Sequence, residues 1–258
     1  MDVNSQIYAR PTTSNIHLFT SFVTYDDCPD SVKVFYTKKL IPQWVKIHLK
    51  FFDSVNVITN IPDRFEGIDF LNVHSITLQE AFCNYDYKNL NVTASQLGSW
   101  ISFIKLIPEG DIAIYLDPDA FMLSNKLKIA ASKTKSCELT RIVSPGRMCD
   151  AGVAILRNNY NTRKILLDMT EILSNTRIVN HIEVCYQNKF KDNRDYFIKW
   201  SRHSLLLREE ICGILSSPDT VHDSLKLEKY NVSLDENCRN MLDLIKEKKE
   251  HRINYLPN

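Results

Sequence analysis

Residues 95–123, SQLGSWISFIKLIPEGDIAIYLDPDAFML, limit the folds open to this chain more than any other stretch. Leu97, Ile101, Ile104 and Ile107 recur at helical spacing, which predicts a helix over 95–107 with Thr93 or Ser95 available as its N-cap. Pro108-Glu109-Gly110 stops it. The run that follows, IAIYL, is apolar without alternation, as in a strand covered on both faces within a parallel sheet. That strand ends in Asp117-Pro118-Asp119, so two carboxylates emerge together at its carboxyl end. A helix feeding such a strand is one unit of an α/β sheet.

The remaining chain repeats the alternation. IHLFTSFV at 16–23 reads as a first strand closed by the polar Tyr25-Asp26-Asp27 turn, and 54–60 and 70–76 read as two more. Residues 31–52 carry a helical pattern that Pro42 is expected to split, with the ring in the first turn of the second helix. Strands near 138–143 and over 151–156 precede a helix over 162–174, whose Ile165, Leu166, Met169, Ile172 and Leu173 share a face. Near the end, Ser233 and Glu236 form a capping-box pattern before the stripe Leu234, Cys238, Met241, Leu242 and Ile245. No repeat or low-complexity linker divides the 258 residues, so the expectation is one α/β domain with a mixed central sheet flanked by helices.

Charge excludes some partners. With 32 basic and 31 acidic residues the formal net charge is +1, so no global field recruits nucleic acid or an anionic membrane. The basic run Lys246, Lys248, Lys249, His251 and Arg252 is interrupted by Glu247 and Glu250 and reads as a solvated helix face. Seven scattered cysteines without a CxxC pair fit reduced thiols in the cytoplasm. The polar first residues lack the core of a signal peptide, and no apolar run is long enough to span a bilayer. The sequons at Asn91 and Asn231 are read as unused.

Asp-x-Asp by itself is common, and position gives this one its weight: it follows a buried strand and precedes a renewed apolar run, AFML. Mn²⁺ and Mg²⁺ take hard oxygen ligands and are well held where one or two carboxylates share the ion with a diphosphate. Pro118 fixes its own backbone angle and donates no hydrogen bond, which suits a strand end. At the end of the first strand Thr20 and Ser21 could hydrogen-bond a nucleotide and Tyr25 could stack on its base, while Asn60 and Asp63 follow the second strand. Gly152 would let backbone approach a ligand closely, and Asp150 could accept hydrogen bonds from sugar hydroxyls.

The 95–123 stretch resembles the core of retaining GT-A glycosyltransferases, in particular the galactosyl- and xylosyltransferase-like group. That group's second signature, a small-residue strand, an Arg-Asn pair and an amphipathic helix, is matched by CDAGVAILRNNYNTRKILLDMTEIL at 149–173. The resemblance covers about a third of the chain. It implies a GT-A, Rossmann-like fold for nucleotide-diphospho-sugar transfer, with a donor-binding half over about 14–119 and an acceptor-facing half over about 120–258. It also implies a UDP- or GDP-sugar donor, a glycan or glycoconjugate acceptor, Mn²⁺ or Mg²⁺, and retention of configuration. Asp117 and Asp119 would be the metal carboxylates, with Asp119 the more direct ligand and His203 or His222 a third. Asp150, Ala151 and Gly152 would line the sugar pocket, and Glu183 would reach the anomeric carbon or acceptor; should the reaction invert, Glu183 or Asp150 would be the general base. The family's adjacent acid and Gln are not matched, since Gln187 stands four residues after Glu183. Lacking a membrane stem, the protein is expected in the cytoplasm of a bacterium, or of a host cell if a large DNA virus encodes it. The alternatives are a sugar-phosphate nucleotidyltransferase, which normally opens with a glycine-rich phosphate loop although no glycine precedes Gly67 here, and a non-catalytic sugar-nucleotide-binding module.

Overall fold

The computed structural model describes residues 14–24, 28–81, 92–133, 139–142, 150–175, 211–212 and 234–253. The strands are β1 (Ile16–Phe22), β2 (Val55–Thr59), β3 (Leu71–Ser75), β4 (Ile112–Leu116), β5 (Phe121–Met122), β6 (Leu139–Ile142), β7 (Asp150–Arg157) and β8 (Ile211–Cys212). The helices are α1 (Asp30–Phe35), α2 (Ile41–His48), α3 (Leu78–Ala81), α4 (Val92–Leu106), α5 (Lys126–Lys133), α6 (Tyr160–Asn175) and α7 (Glu236–Ile253). Six strands form one sheet in the order β3-β2-β1-β4-β7-β6, and β5 pairs with β8 in a small second sheet. From β3 to β4 the strands are parallel, whereas β7 runs antiparallel to β4 and to β6. The fold is therefore mixed α/β, as the alternation of patterns predicts.

Helices cover both faces, which explains why β2 and β4 are buried at every position. On one face Leu18, Phe22, Val55, Val57, Ile112, Ile114 and Leu116 join Phe35, Trp44 and Ile47 from the helices before β2, with Met241 and Ile245 of α7. On the other, Phe19 stacks on Phe103 of α4 at 4.2 Å, and Trp100 meets Tyr115 edge-on. Alternate residues of β1 and β4 thus feed separate layers, the period of two that a strand imposes.

Pro42 sits in the first turn of α2, as expected, but the helical rod is not broken ahead of it. Tyr36–Leu40 form a π-helical turn that joins α1 to α2 without leaving helical backbone angles. The wider turn lies beside the position where proline withholds an N–H, and a local π segment is a recognised way of carrying a helix past such a defect. The start of α7 also differs from the sequence reading. Asp235 is the cap, its Oδ1 accepting the Cys238 N–H at 2.9 Å, because a carboxylate just before the first helical residue reaches the third helical N–H. Ser233 of the expected capping box lies outside the described residues.

Two glycines are set by geometry. Gly110 holds φ +91° in the turn into β4, a region that L side chains rarely adopt. Gly98 lets α4 touch α3: a Cβ there would lie 2.0 Å from the Ala81 carbonyl oxygen. Among the described residues no helix is long and apolar enough to cross a membrane.

Candidate active site at the carboxyl edge of the sheet

Chain order places the candidate site. The chain winds outward from β1 through β2 to β3, then returns to lay β4 on the other side of β1. In open α/β sheets such a reversal leaves a crevice outside the carboxyl ends of the two diverging strands, where ligands bind. The crevice here lies beyond Phe22 and Leu116, where Asp117-Pro118-Asp119 begins. From the last registered pair between β4 and β7, Leu116 with Val153, β7 continues back to Asp150, so Gly152 and Asp150 stand at this same edge. The backbone segments 117–119 and 150–152 therefore lie at the same edge of the sheet.

Asp117 is partly exposed. Its Oδ1 accepts the Tyr115 hydroxyl at 2.7 Å and the Gln96 amide at 3.2 Å. Burial pushes the Tyr115 phenol well above its usual range, and the Asp117 charge pushes it further. Tyr115 therefore stays protonated and acts as a donor to the carboxylate. Ser21 Oγ lies 3.2 Å from the same hydroxyl, which ties the end of β1 into the cluster.

Asp119 differs. It is 1% exposed, and its Oδ2 accepts from Lys248 Nζ of α7 at 2.5 Å. The lysine is nearly as buried, with side-chain exposures of 6% for Lys248 and 2% for Asp119. The pairing corrects the expectation of a solvated basic face at Lys248 and bears on the metal expectation. Lys248 leaves the solvated basic face because α7 packs along α2 and turns that position inward, where the carboxylate awaits it. Asp119, expected as the more direct metal ligand, is already neutralised by an ammonium.

A divalent ion shared by this pair needs carboxylate oxygens at about 2 Å in near-octahedral array. Among the described residues the pair as placed does not fit one, since Lys248 holds Asp119 while Tyr115 and Gln96 hold Asp117 Oδ1. Among the described residues, no group of three His, Cys, Asp or Glu side chains gathers to hold an ion. Glu183, His203, His222 and Tyr25 lie outside the described residues.

The positions expected to meet a nucleotide divide. Ser21 sits at the edge. Thr20 is fully buried with its hydroxyl unpartnered, so it belongs to the sheet interior. Asn60 has its amide engaged: Oδ1 accepts the Thr24 N–H at 2.9 Å and Nδ2 donates to the Thr24 carbonyl at 2.8 Å. It staples the segment after β1 to the end of β2. Asp63 is exposed in the short 3-10 turn Pro62–Phe65.

The Arg-Asn pair of the second signature works at the opposite edge. Arg157 donates to the Gly110 carbonyl at 2.9 Å, and Asn158 Nδ2 donates to the Ile107 carbonyl at 2.7 Å. Both secure the turn that launches β4. An open cleft of about 740 Å³, lined by Ile16, Lys50, Phe51, Leu123, Asn125 and Lys128, is also there. Its lysines are occupied, Lys50 with Asp235 and Lys128 with the Phe51 carbonyl at 2.7 Å.

No family model matches the sequence, and no curated protein matches it. Similar solved structures include the galactosyltransferase LgtC in complex with donor and acceptor sugar analogs, at 10% identity over 67% of this chain and 70% of that one, TM-score 0.46. The glycosyltransferase GlyE of Streptococcus pneumoniae TIGR4 is similar at 12% identity over 92% of this chain and 64% of that one, TM-score 0.47. Mouse xyloside xylosyltransferase 1 is similar at 9% identity over 70% and 83%, TM-score 0.44. A nucleotidyltransferase is also among the similar structures. Likeness at this level leaves function to be argued from the residues.

Proposed function

We propose that the chain is a glycosyltransferase that binds a nucleotide-diphosphate sugar in the crevice between β1 and β4 and passes the sugar to an acceptor hydroxyl. The observation that carries this reading is the coincidence of the Asp-x-Asp segment with the sheet's reversal point, the position where an open α/β sheet takes its ligand. The sequence resemblance supports the same reaction, a UDP- or GDP-sugar as donor, a glycan as acceptor, and retention. Asp117, held at a fixed angle by Tyr115 and Gln96, accepts hydrogen bonds from donor hydroxyls. During transfer the bond from the anomeric carbon to the diphosphate oxygen breaks and one to the acceptor oxygen forms. The acceptor's proton leaves to the departing phosphate or, in an inverting reaction, to Glu183 or Asp150. Charge building on the diphosphate calls for a positive group at this edge. The one beside Asp119 is the Lys248 ammonium.

Incubating the protein with a panel of UDP- and GDP-sugars and measuring slow donor hydrolysis tests the proposal. At least one donor should be cleaved. Asp117→Asn should lower kcat/KM by about tenfold to a hundredfold, the worth of a hydrogen bond to a charged group. Equal hydrolysis by the variant removes Asp117 from the site, and no cleavage of any donor removes the enzyme reading.

A further inference from the structure

We infer that the resident cation of this site is the Lys248 ammonium, that it keeps divalent ions off Asp119, and that pyrophosphate is bound at this edge without a metal. The last part rests on the nucleotide-sugar reading; the first two do not.

Lys248 is no surface side chain that happens to reach a carboxylate. It lies 129 residues from Asp119 in sequence, yet the two atoms stand 2.5 Å apart. That is the short end of charge-assisted hydrogen bonds. The helix that carries it is held at several points between its start and Lys248. At its start Asp235 pairs with Lys50, and Gln43 Nε2 donates to the Asn237 carbonyl at 2.9 Å. Further on Lys39 pairs with Glu247 at 2.5 Å, while Met241 and Ile245 are buried in the core. Lys248 therefore arrives on a rigid element, and its Nζ lies 5.8 Å from the centre of the Tyr36 ring, a cation–π distance.

A divalent ion has no inexpensive way in. It would displace the ammonium from a buried carboxylate, leaving that charge unpaired beside a doubly positive ion. Stranding one partner of a buried pair is among the costliest changes a fold can suffer. With Lys248 seated against it Asp119 is 1% exposed, so while the lysine is in place there is no room for the several waters that Mg²⁺ and Mn²⁺ retain. An ammonium meets neither obstacle. It neutralises one carboxylate and leaves the edge without the strong negative field that would repel a diphosphate.

The test titrates Mn²⁺ alone into the protein, counting free ion by electron paramagnetic resonance. It then measures UDP binding calorimetrically in chelator and in Mn²⁺. The wild type should bind no Mn²⁺ at Asp119, and UDP should bind equally well in both buffers. Lys248→Met should weaken UDP binding in chelator by about tenfold or more and gain a Mn²⁺ site that Asp119→Asn removes. Should Lys248→Met fail to fold by circular dichroism, Lys248→Arg, which keeps a cation, should still exclude Mn²⁺. Stoichiometric Mn²⁺ binding by the wild type that Asp119→Asn abolishes, or UDP binding only when Mn²⁺ is present, overturns the inference. If UDP binds in neither buffer, the nucleotide reading fails, while the Mn²⁺ titration still decides what Lys248 does.

Discussion

His48 offers a stability test whose size follows from its surroundings. The ring is fully buried, with Nδ1 2.8 Å from the Trp44 carbonyl and Nε2 accepting the Met122 N–H at 3.1 Å. These partners demand one neutral tautomer, a donor at Nδ1 and an acceptor at Nε2. Burial lowers its pKa from 6.5 to about 3, with the Trp44 bond opposing only part of the drop. A group whose folded pKa is depressed contributes stability that is complete above its unfolded value. That contribution is lost as pH falls, here through the window from 6.5 down to about 3. At about 1.4 kcal/mol per pKa unit, the loss at about pH 4.5 comes to about 3 kcal/mol. Urea denaturation of wild type and His48→Gln at about pH 7.5 and pH 4.5 isolates this term, because other titrating groups are common to both proteins. Whatever the substitution costs at neutral pH, the wild type should lose about 3 kcal/mol more than the variant on acidification. Parallel curves, within about 0.5 kcal/mol, would refute the burial argument.

Gly98→Ala should destabilise despite a helix-propensity gain of about 1 kcal/mol, because the new methyl would meet the Ala81 carbonyl oxygen at 2.0 Å and its carbon at 2.5 Å. A net loss of about 2 kcal/mol, seen as a lower Tm, is expected, and a raised Tm would contradict the packing of α3 on α4. Lys248→Met should cost about 3–5 kcal/mol by leaving Asp119 buried and unpaired, and adding Asp119→Leu should recover most of it. Equal stability of the two variants would mean that the pair is not desolvated.

Much of the fold was legible because it is written locally. The six strands of the main sheet lie where short β-branched or apolar runs predict them, and α4 and α6 follow the 3.6-residue period. The placing of Asp-x-Asp was legible for the same reason, since an apolar strand that stops at a carboxylate delivers it to a sheet edge. What pairs with those carboxylates was not. Lys248 sits between Glu247 and Lys249 in a run with the look of a solvated face, and only α7's packing on α2 turns it toward Asp119. Asn60 has the appearance of a ligand contact, and its stapling of Thr24 depends on how the ends of β1 and β2 approach. The π-helical turn before Pro42 and the Asp235 cap were missed at finer scale: several backbone solutions satisfy the same residues, and neighbouring elements choose among them.

A crystal structure of the protein grown with UDP or GDP tests the central claim most directly. The reading places the nucleotide's diphosphate in the crevice beyond Phe22 and Leu116, beside Asp117 and the Lys248–Asp119 pair. A nucleotide seated instead in the cleft beside Lys50 and Lys128, or a crevice that stays empty at saturating nucleotide, would contradict it.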